Sequence, residues 1–516
     1  MTSIAVVGAG LSGITTVKQL LDEGHDVICC EKSAQLGGVF AENQIYDDLH
    51  LTISNYFMAF SDFMPVHERL KFWSKGEYRN YLHAYVKQFN LGDRIQFGTE
   101  VVAARNNAGQ RGWTLTLSHN GKVSTRNVDV LAVCSGHFQH PRMPTITGLE
   151  SFSGEVIHSK SYRDKNRYQG KRVLCVGMGE SSADITSEVS EVAARCILSL
   201  RRYQAVAPRY MAFQEDTYFT IDTSWLTSRI VNRLPQKFHQ KIFQGILQRY
   251  LISHNPDLRI RGNWAVQSGS PVLQAVTKNE RVFKPIADGK VIPHIGGIER
   301  FDGNDVVFKD GAREAIDAVI FCTGYQLEFP FLDVAIDDMR RLYKQMFVPK
   351  AGPSLAFIGF VRPQQGGIPV IAELQARYLA QLCSNKCELP SEEKQRQVIA
   401  EDAAHWRQEY RLTPEVPSLV NYCHYMDSLA KMAGCMPEIP PLWRDPKLHL
   451  KMLHGPQFAL QYRLAGPHAT PELARKFLLG FPDLNTWRRT LYLELNRVLY
   501  EALDGFAGFR LRYLKA

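Results

Sequence analysis

Val6-Val7-Gly8-Ala9-Gly10-Leu11-Ser12-Gly13 sets the reading of the whole chain. Ile4 to Val7 reads as a short buried strand, and Ile14 to Leu21 as the helix that follows the glycines. In that setting Gly8 makes the tight turn, Gly10 lets backbone approach a pyrophosphate, and Gly13 lets helix and strand pack closely. The pyrophosphate then sits on the unpaired N–H groups at the helix start, with Ala9, Leu11 and Ser12 among the expected cofactor-binding residues. Val27 to Cys30 reads as the second strand, and Glu31 ends it. An acid there accepts a ribose 2′-hydroxyl and repels a 2′-phosphate, so this first site suits FAD or NAD rather than NADP.

The chain has 516 residues, enough for two or three domains. Its net charge is +9, with Lys and Arg dispersed and no run of five like charges. This argues against a nucleic-acid surface and for a solvated basic surface that also favours an anionic cofactor. Ten cysteines are present, and several lie in apolar strand-like runs, where free Cys behaves as a small hydrophobe. None forms a metal-type CxxC pair, so a reducing, cytoplasmic setting and no metal site are expected. The first strand begins by residue 4, leaving no room for a signal peptide, and no apolar run is long enough for a membrane span. Thr486 to Ala516 alternates Arg with Leu, Tyr, Trp and Phe. It reads as an amphipathic helix packed on the body, with peripheral membrane contact as the alternative.

After Glu31 and Lys32 come Gly37-Gly38-Val39-Phe40. Paired glycines just past the ribose acid permit close approach to a longer cofactor and favour FAD. Asp47 to Pro65, including Leu51, Thr52 and Asn55, is rich in aromatics and Met and suits a loop over a flat ring system. Tyr78 to Phe89 reads as a packing helix. Gln96 to Val102, Trp113 to Ser118 and Val123 to Val128 read as a β-meander inserted in the domain. Val128 to Val133 is a buried strand that exits through Cys134-Ser135-Gly136-His137.

The pattern begins again at Arg172: a buried strand, then Gly177, Gly179, Ser181, Ser182 and Asp184, with Ser182 at the third glycine position. The next strand, Cys196 to Leu200, ends in Arg201 and Arg202 instead of an acid. Arginine binds a 2′-phosphate with paired donors, so this second site suits NADPH. Residues 213–288 carry no such repeat and read as an insertion, with a helical stretch from Leu234 to Leu251. Val306 to Phe308 and Ala318 to Phe321 return to strands, and Cys322-Thr323-Gly324-Tyr325 echoes the earlier exit, with Thr323 and Gly324 expected to bind cofactor. The two exits read as two crossings between domains. Ala356 to Val361 reads as a further strand, and Ile368-Pro369 opens a helix to Leu382 whose Gln375 is placed to donate to the flavin.

The expected architecture is α/β. It has two Rossmann-like domains, an FAD domain at 1–150 and 331–516 and an NADPH domain at 151–330 inserted into it. A mainly helical insertion at about 213–288 and a helical C-terminal region complete it. No redox thiol pair lies beside the flavin, which argues against a disulfide reductase. NADPH reducing a flavin that passes electrons to oxygen remains. A flavin-bound interaction protein is the non-enzymatic alternative, disfavoured by two intact-looking nucleotide sites.

The chain resembles the class B flavin-containing monooxygenases. Phe152 to Tyr162 matches the family string FxGxxxHxxx(Y/F/W) and sits between the two glycine motifs. Phe321 to Tyr325, Phe60 to Phe63, Gly359 to Val361, Glu373 to Arg377, Asp445 to Leu448 and Gln461 to Leu464 also match. The resemblance covers nearly the whole chain and reads as closest to the microsomal animal-type branch, without its C-terminal membrane anchor. It implies FAD and NADPH as cofactors and a C4a-(hydro)peroxyflavin that oxygenates a nitrogen or sulfur atom of a small substrate. Baeyer–Villiger oxygenation or a largely uncoupled NADPH oxidase are the alternatives. A homo-oligomer, a dimer, is expected. The family carries an Asn eight residues before the Phe that opens FSDF, where this chain has Thr52; Thr52, with Asn55 as partial substitute, is the expected catalytic pair. Phe40 stands where the family has Trp, and His158 reads as a structural residue at the domain junction.

Overall fold

The computed structural model describes the chain except residues 108–111, 211–219, 221, 224–226, 233, 235–243, 246, 249–250, 253–255, 270–273, 337, 413–418, 483–489, 492–493 and 497–516. The helical stretch expected from Leu234 to Leu251, and the amphipathic segment from Thr486, lie largely outside the described residues.

Eighteen strands are described: β1 (Ser3–Val7), β2 (Asp26–Cys30), β3 (Ile95–Gln96), β4 (Thr99–Asn106), β5 (Trp113–His119), β6 (Lys122–Val128), β7 (Val130–Val133), β8 (His140–Pro141), β9 (Glu155–His158), β10 (Arg172–Val176), β11 (Arg195–Leu200), β12 (Val291–Ile295), β13 (Ile298–Asp302), β14 (Asp305–Phe308), β15 (Arg313–Ala315), β16 (Ala318–Phe321), β17 (Tyr325–Gln326) and β18 (Leu355–Phe357). They form two five-stranded parallel sheets, in the orders β18-β7-β1-β2-β3 and β12-β11-β10-β16-β9. The chain leaves the first sheet after β7, builds the second, and returns to pair β18 beside β7.

Both sheets are covered on two faces, which is why their strands read as unbroken apolar runs. Helix α1 (Leu11–Asp22) and helix α4 (Ile368–Cys383) pack together on one face of the first sheet. The antiparallel meander β4-β5-β6 covers the other through Trp113, Leu115 and Leu117. The second sheet repeats the plan. Helix α3 (Glu180–Val189) covers one face, and the small antiparallel sheet β13-β14-β15 covers the other with Phe301, Val306 and Phe308. Helix α2 (Lys75–Gln88) begins at a capping box, where Ser74 accepts from the Glu77 N–H and the Glu77 side chain accepts from the Ser74 N–H.

Three expected boundaries shift. The helix after the first glycines starts at Leu11, three residues earlier than its apolar period suggested. The run Gln96 to Val102 is two strands, because Gly98 turns at φ +62 and passes the chain from the parallel sheet into the meander. The strand expected from Ala356 to Val361 stops at Phe357. Gly359 then adopts φ +82, and a Cβ there would lie 2.0 Å from Ser12 Oγ, so the loop rests directly on the first turn of α1.

The repeated Cys-(Ser/Thr)-Gly exits have a geometric cause. A Cβ on Gly8 would meet the Cys134 carbonyl at 2.9 Å, and one on Gly177 the Cys322 carbonyl at 2.5 Å. Each exit is the backbone that the first glycine of each nucleotide turn presses against. Just beyond them, β8 and β17 pair with each other, His140 with Gln326 and Pro141 with Tyr325. The ring of His158 spans the same junction: Nδ1 accepts from the Lys160 N–H at 3.1 Å, so Nε2 is the protonated nitrogen, 3.0 Å from the Gly324 carbonyl. Burial lowers the His158 pKa and keeps the ring neutral in this strut role.

Three family strings come together in one buried network. Arg463 donates to Ser61 Oγ at 2.7 Å and to Glu373 Oε1 at 2.7 Å, and Ser61 N–H donates to Glu373 Oε2 at 2.6 Å. Lys18 of α1 pairs with Asp62 at 2.8 Å, and Asp62 also meets Arg463 at 3.1 Å. Asp445 of the fourth string caps the helix Pro446–His454 by accepting from the Leu448 N–H.

Candidate active site

A cleft of about 560 Å³ runs between the C-terminal ends of the two sheets, where open α/β folds bind ligands. One end is built by the first glycine turn. A Cβ on Gly13 would lie 1.8 Å from the Gly8 carbonyl, so only glycine lets α1 start here. Gly10 caps α1 without any side-chain hydrogen bond, and no acid stands in the first turn. The helix start therefore offers bare N–H groups to the cleft. Gly37 and Gly38 turn at φ +114 and +59, and a Cβ on Gly38 would be 3.1 Å from the Gly10 Cα, so the two turns form one glycine-walled channel. Such a channel fits a pyrophosphate and the chain of a long flavin cofactor.

Glu31 closes this end. Its Oε2 accepts from the Ala9 N–H at 2.7 Å and its Oε1 from the Ser33 N–H at 2.8 Å. These bonds leave lone pairs for ribose hydroxyls. Gly8, Gly10, Leu11, Ser12, Lys32, Gly38, Val39, Phe40, Leu51 and Thr52 also line the cleft. Phe40 meets the ring of Tyr78 edge-on at 4.8 Å, which fixes it as a wall.

The second turn differs from the first in one detail. Ser182, where the first turn has Gly13, is fully buried and donates from Oγ to the Gly177 carbonyl at 2.6 Å. The side chain that a glycine would have avoided instead ties the turn to the helix. Helix α3 starts at Gly179 with no side-chain cap, and Glu180 is its first residue. Of this turn, Glu180 reaches the cleft. Burial raises its carboxyl to about 7, against the Lys278 N–H that donates to Oε1 at 2.7 Å.

Several expected site residues have other duties. Asn55 is fully buried and does not line the cleft; its amide donates to the Arg69 carbonyl and accepts from the Lys71 N–H. It braces a loop and cannot substitute for the amide that Thr52 lacks. Gln375 is also fully buried, accepting from the Gly359 N–H at 2.8 Å and donating to Tyr425 Oη at 2.9 Å. It holds the loop that rests on α1 and is not among the cleft residues. Asp184 binds Tyr46 Oη, Asn279 and Arg281, a buried hub behind the second turn. Thr323 donates to the Arg142 carbonyl, and the Gly324 carbonyl accepts from the Arg142 N–H, so both belong to the crossing. Arg201 and Arg202 stand exposed just past β11, outside the cleft lining. Ser181 is half-buried on α3, also outside it.

The inner cleft holds residues that no motif announced. Lys278 enters from the second-sheet side and Arg362 from the loop between β18 and α4. Lys278 is buried, and burial lowers its pKa; Arg362 is exposed to the open cleft. Neither cationic head has a hydrogen-bond or ion-pair partner among the described residues. His137 lines the same wall; burial and the nearby Arg362 charge push it down to about 4, and it is neutral. Ile53, Met58, Val276, Pro363, Ile368 and Leu419 supply apolar surface around these charges. The arrangement can hold a flat ring and an anion together beside a flavin. Glu180 stands inside the second glycine turn, between Gly179 and Ser181; Lys278 carried no sequence signal at all.

The flavin-binding monooxygenase-like family model matches residues 1–512. The chain is 61% identical over 493 residues to a 4-hydroxybenzoate brominase (decarboxylating) of Pseudoalteromonas luteoviolacea, covering 96% of this chain and 95% of the relative. It is 60% identical over 513 residues to an enzyme of the same name from Marinomonas mediterranea, with 99% of each covered. Against dimethylaniline monooxygenase [N-oxide-forming] 2 of Rattus norvegicus it is 32% identical over 486 residues, covering 90% and 89%. The expected placement nearest the animal microsomal branch is therefore corrected: these bacterial relatives are almost twice as similar. The fold matches that of the S-allyl-L-cysteine S-oxygenase of Allium sativum, with a TM-score of 0.61, 21% identity and 93% and 98% of the chains covered. Among the described residues no helix is long and apolar enough to cross a membrane.

Proposed function

The chain belongs to the flavin-binding monooxygenase-like family and is an enzyme that uses FAD and NADPH; on that premise we propose that it brominates 4-hydroxybenzoate with loss of the carboxyl group. The observation that carries this reading is 60–61% identity, over nearly the full length, to two enzymes of that name. The N-oxide-forming relative, which would support nitrogen or sulfur oxygenation, stands at 32%.

Bound and reduced by NADPH, FAD activates O2 and supplies an electrophilic oxygen equivalent. The electrons balance: NADPH gives two, bromide gives two, and O2 takes four to become two waters. Bromine enters at the ring carbon that loses CO2, because the para oxygen feeds electron density to that carbon.

The residues of the inner cleft support the reading. Apolar side chains at Ile53, Met58, Val276 and Leu419 exclude water and suit an aromatic ring. Thr52 places a hydroxyl among them. Lys278 and Arg362 favour anionic reactants, and two of the three small reactants are anions. Glu180 is the cleft carboxyl that changes charge near neutrality, and the overall reaction consumes protons.

The test is product analysis. Holoenzyme with NADPH, O2, bromide and carboxyl-labelled 4-hydroxybenzoate is expected to release labelled CO2 and a bromophenol. NADPH consumption without bromophenol, together with N-oxide formation from a tertiary amine, would overturn the proposal.

A further inference from the structure

Lys278 rises from a backbone fixed on both sides. The Thr277 N–H donates to the Ala205 carbonyl, and its hydroxyl donates to the Met178 carbonyl at 2.6 Å. Asn279 donates to Asp184 at 2.7 Å. Between these anchors the lysine head has no described acceptor, although the residue is only 7% exposed. Arg362 comes from the opposite half of the molecule. Its carbonyl accepts from the Val420 N–H at 3.1 Å, so its backbone is fixed as well, and its guanidinium also has no described acceptor.

The charges near Lys278 do not cancel. Asp222 attracts it but already accepts from the Ser54 N–H at 2.7 Å and from the Thr220 hydroxyl. Glu180 attracts it too, yet its carboxyl is half protonated near neutral pH. Arg362 repels it. Lys278 is a buried cation without a partner, which is expensive, and the cleft-exposed Arg362 adds repulsion to that cost. An anion between them removes both costs.

We propose that Lys278 and Arg362 form the bromide site of this enzyme, closing on the halide from the two halves of the cleft. This rests on the reading of the chain as a brominase. The walls beside the two heads, Ala275, Val276, Pro363 and Leu419, are apolar, and a large, weakly hydrated halide suits apolar walls with two cationic donors. A carboxylate fits the reaction less well there. Two cations clamped on the carboxylate stabilise the charge that must be lost when CO2 leaves.

The experiment titrates oxidised holoenzyme with sodium bromide at constant ionic strength and follows bromide NMR line broadening, which needs no turnover. Lys278→Met and Arg362→Gln are each expected to abolish the specific broadening, and Lys278→Arg to keep it. In turnover, each neutral variant is expected to raise the bromide KM about tenfold or more and to leave the 4-hydroxybenzoate KM and NADP⁺ affinity within about twofold. Both heads end in open cleft, and thermal unfolding checks that the variants remain folded. Unchanged broadening in both variants overturns the site. So does a selective rise in the 4-hydroxybenzoate KM, which assigns the cations to the carboxylate, or a selective loss of NADP⁺ affinity, which assigns them to the cofactor phosphates. Absence of bromophenol from the wild type defeats the brominase reading alone, and the line broadening still decides whether a halide binds.

Discussion

Arg463 Nη2 lies 2.7 Å from Glu373 Oε1, with each side chain 2% exposed. The pair joins a helix that abuts the flavin half of the cleft to a turn near the end of the described chain. A buried charge that loses its partner is left uncompensated, at about 3–5 kcal/mol. Arg463→Met is therefore expected to lower the thermal unfolding midpoint of the holoenzyme by many degrees, because Glu373 and Asp62 both lose a cation. Restoration of the midpoint in the double variant Arg463→Met, Glu373→Leu would show that orphaned charge, not lost packing, is the cause.

Gly13→Ala is expected to yield protein with little bound FAD. Its Cβ would sit 1.8 Å from the Gly8 carbonyl, and backbone must move to relieve that contact. Ser182→Ala at the matching position removes one hydrogen bond and should cost about 1 kcal/mol of stability, with FAD content unchanged. The flavin-to-protein absorbance ratio separates the two.

NADP⁺ affinity is expected to fall as pH rises through about 7. Burial raises Glu180 to about 7, so the carboxyl is neutral below that pH and anionic above it. It is the first residue of α3, whose start has no side-chain cap; with the cofactor phosphates proposed at that helix start, an anion there repels them. The loss should be about three- to tenfold between pH 6 and 8. Glu180→Gln should flatten it, and an unchanged slope in that variant would move the titration elsewhere.

Arg201→Ala is expected to raise the NADPH KM about tenfold and leave the NADH KM nearly unchanged. The selectivity between the two cofactors is the readout, since only one carries a 2′-phosphate. Equal effects on both would remove Arg201 from phosphate recognition.

Thr52→Val keeps the shape of the side chain and removes its hydroxyl from the cleft. More hydrogen peroxide per NADPH consumed is expected, with the anaerobic rate of flavin reduction unchanged. An unchanged peroxide yield would mean that the hydroxyl does not protect the oxygen chemistry.

The glycine turns, the meander and the doubled strand-turn-helix plan were legible because each is a local demand on backbone. Gly13 or Gly177 cannot be replaced without a clash, and the sequence records that. The shorter motifs were legible for a reason that limits what they say. Ser61, Glu373 and Arg463 are recognisable strings because they bond one another inside the scaffold. A string that holds the scaffold is shared by enzymes of different substrate, so it gave the family and misplaced the branch. Asn55 and Gln375 misled because their partners, Arg69, Lys71, Gly359 and Tyr425, are set by tertiary packing. Lys278 was invisible for the opposite reason: a lone lysine in an insertion becomes significant only when folding denies it a counter-ion.

The two-residue ribbon of β8 and β17 sets the two ends of the intervening segment side by side. Strands paired this way lie about 5 Å apart, and β7 and β18, which the segment separates in sequence, are neighbours in the first sheet. To the first sheet, some 180 residues amount to a hairpin loop, since loop-closure cost is set once the ends meet. The segment that builds the second sheet is thus graftable: exchanging it at Pro141 and Tyr325 for the equivalent piece of a related enzyme is expected to carry Lys278, and the proposed NADPH site with it, across as a cassette. The glycine channel would stay in its original frame.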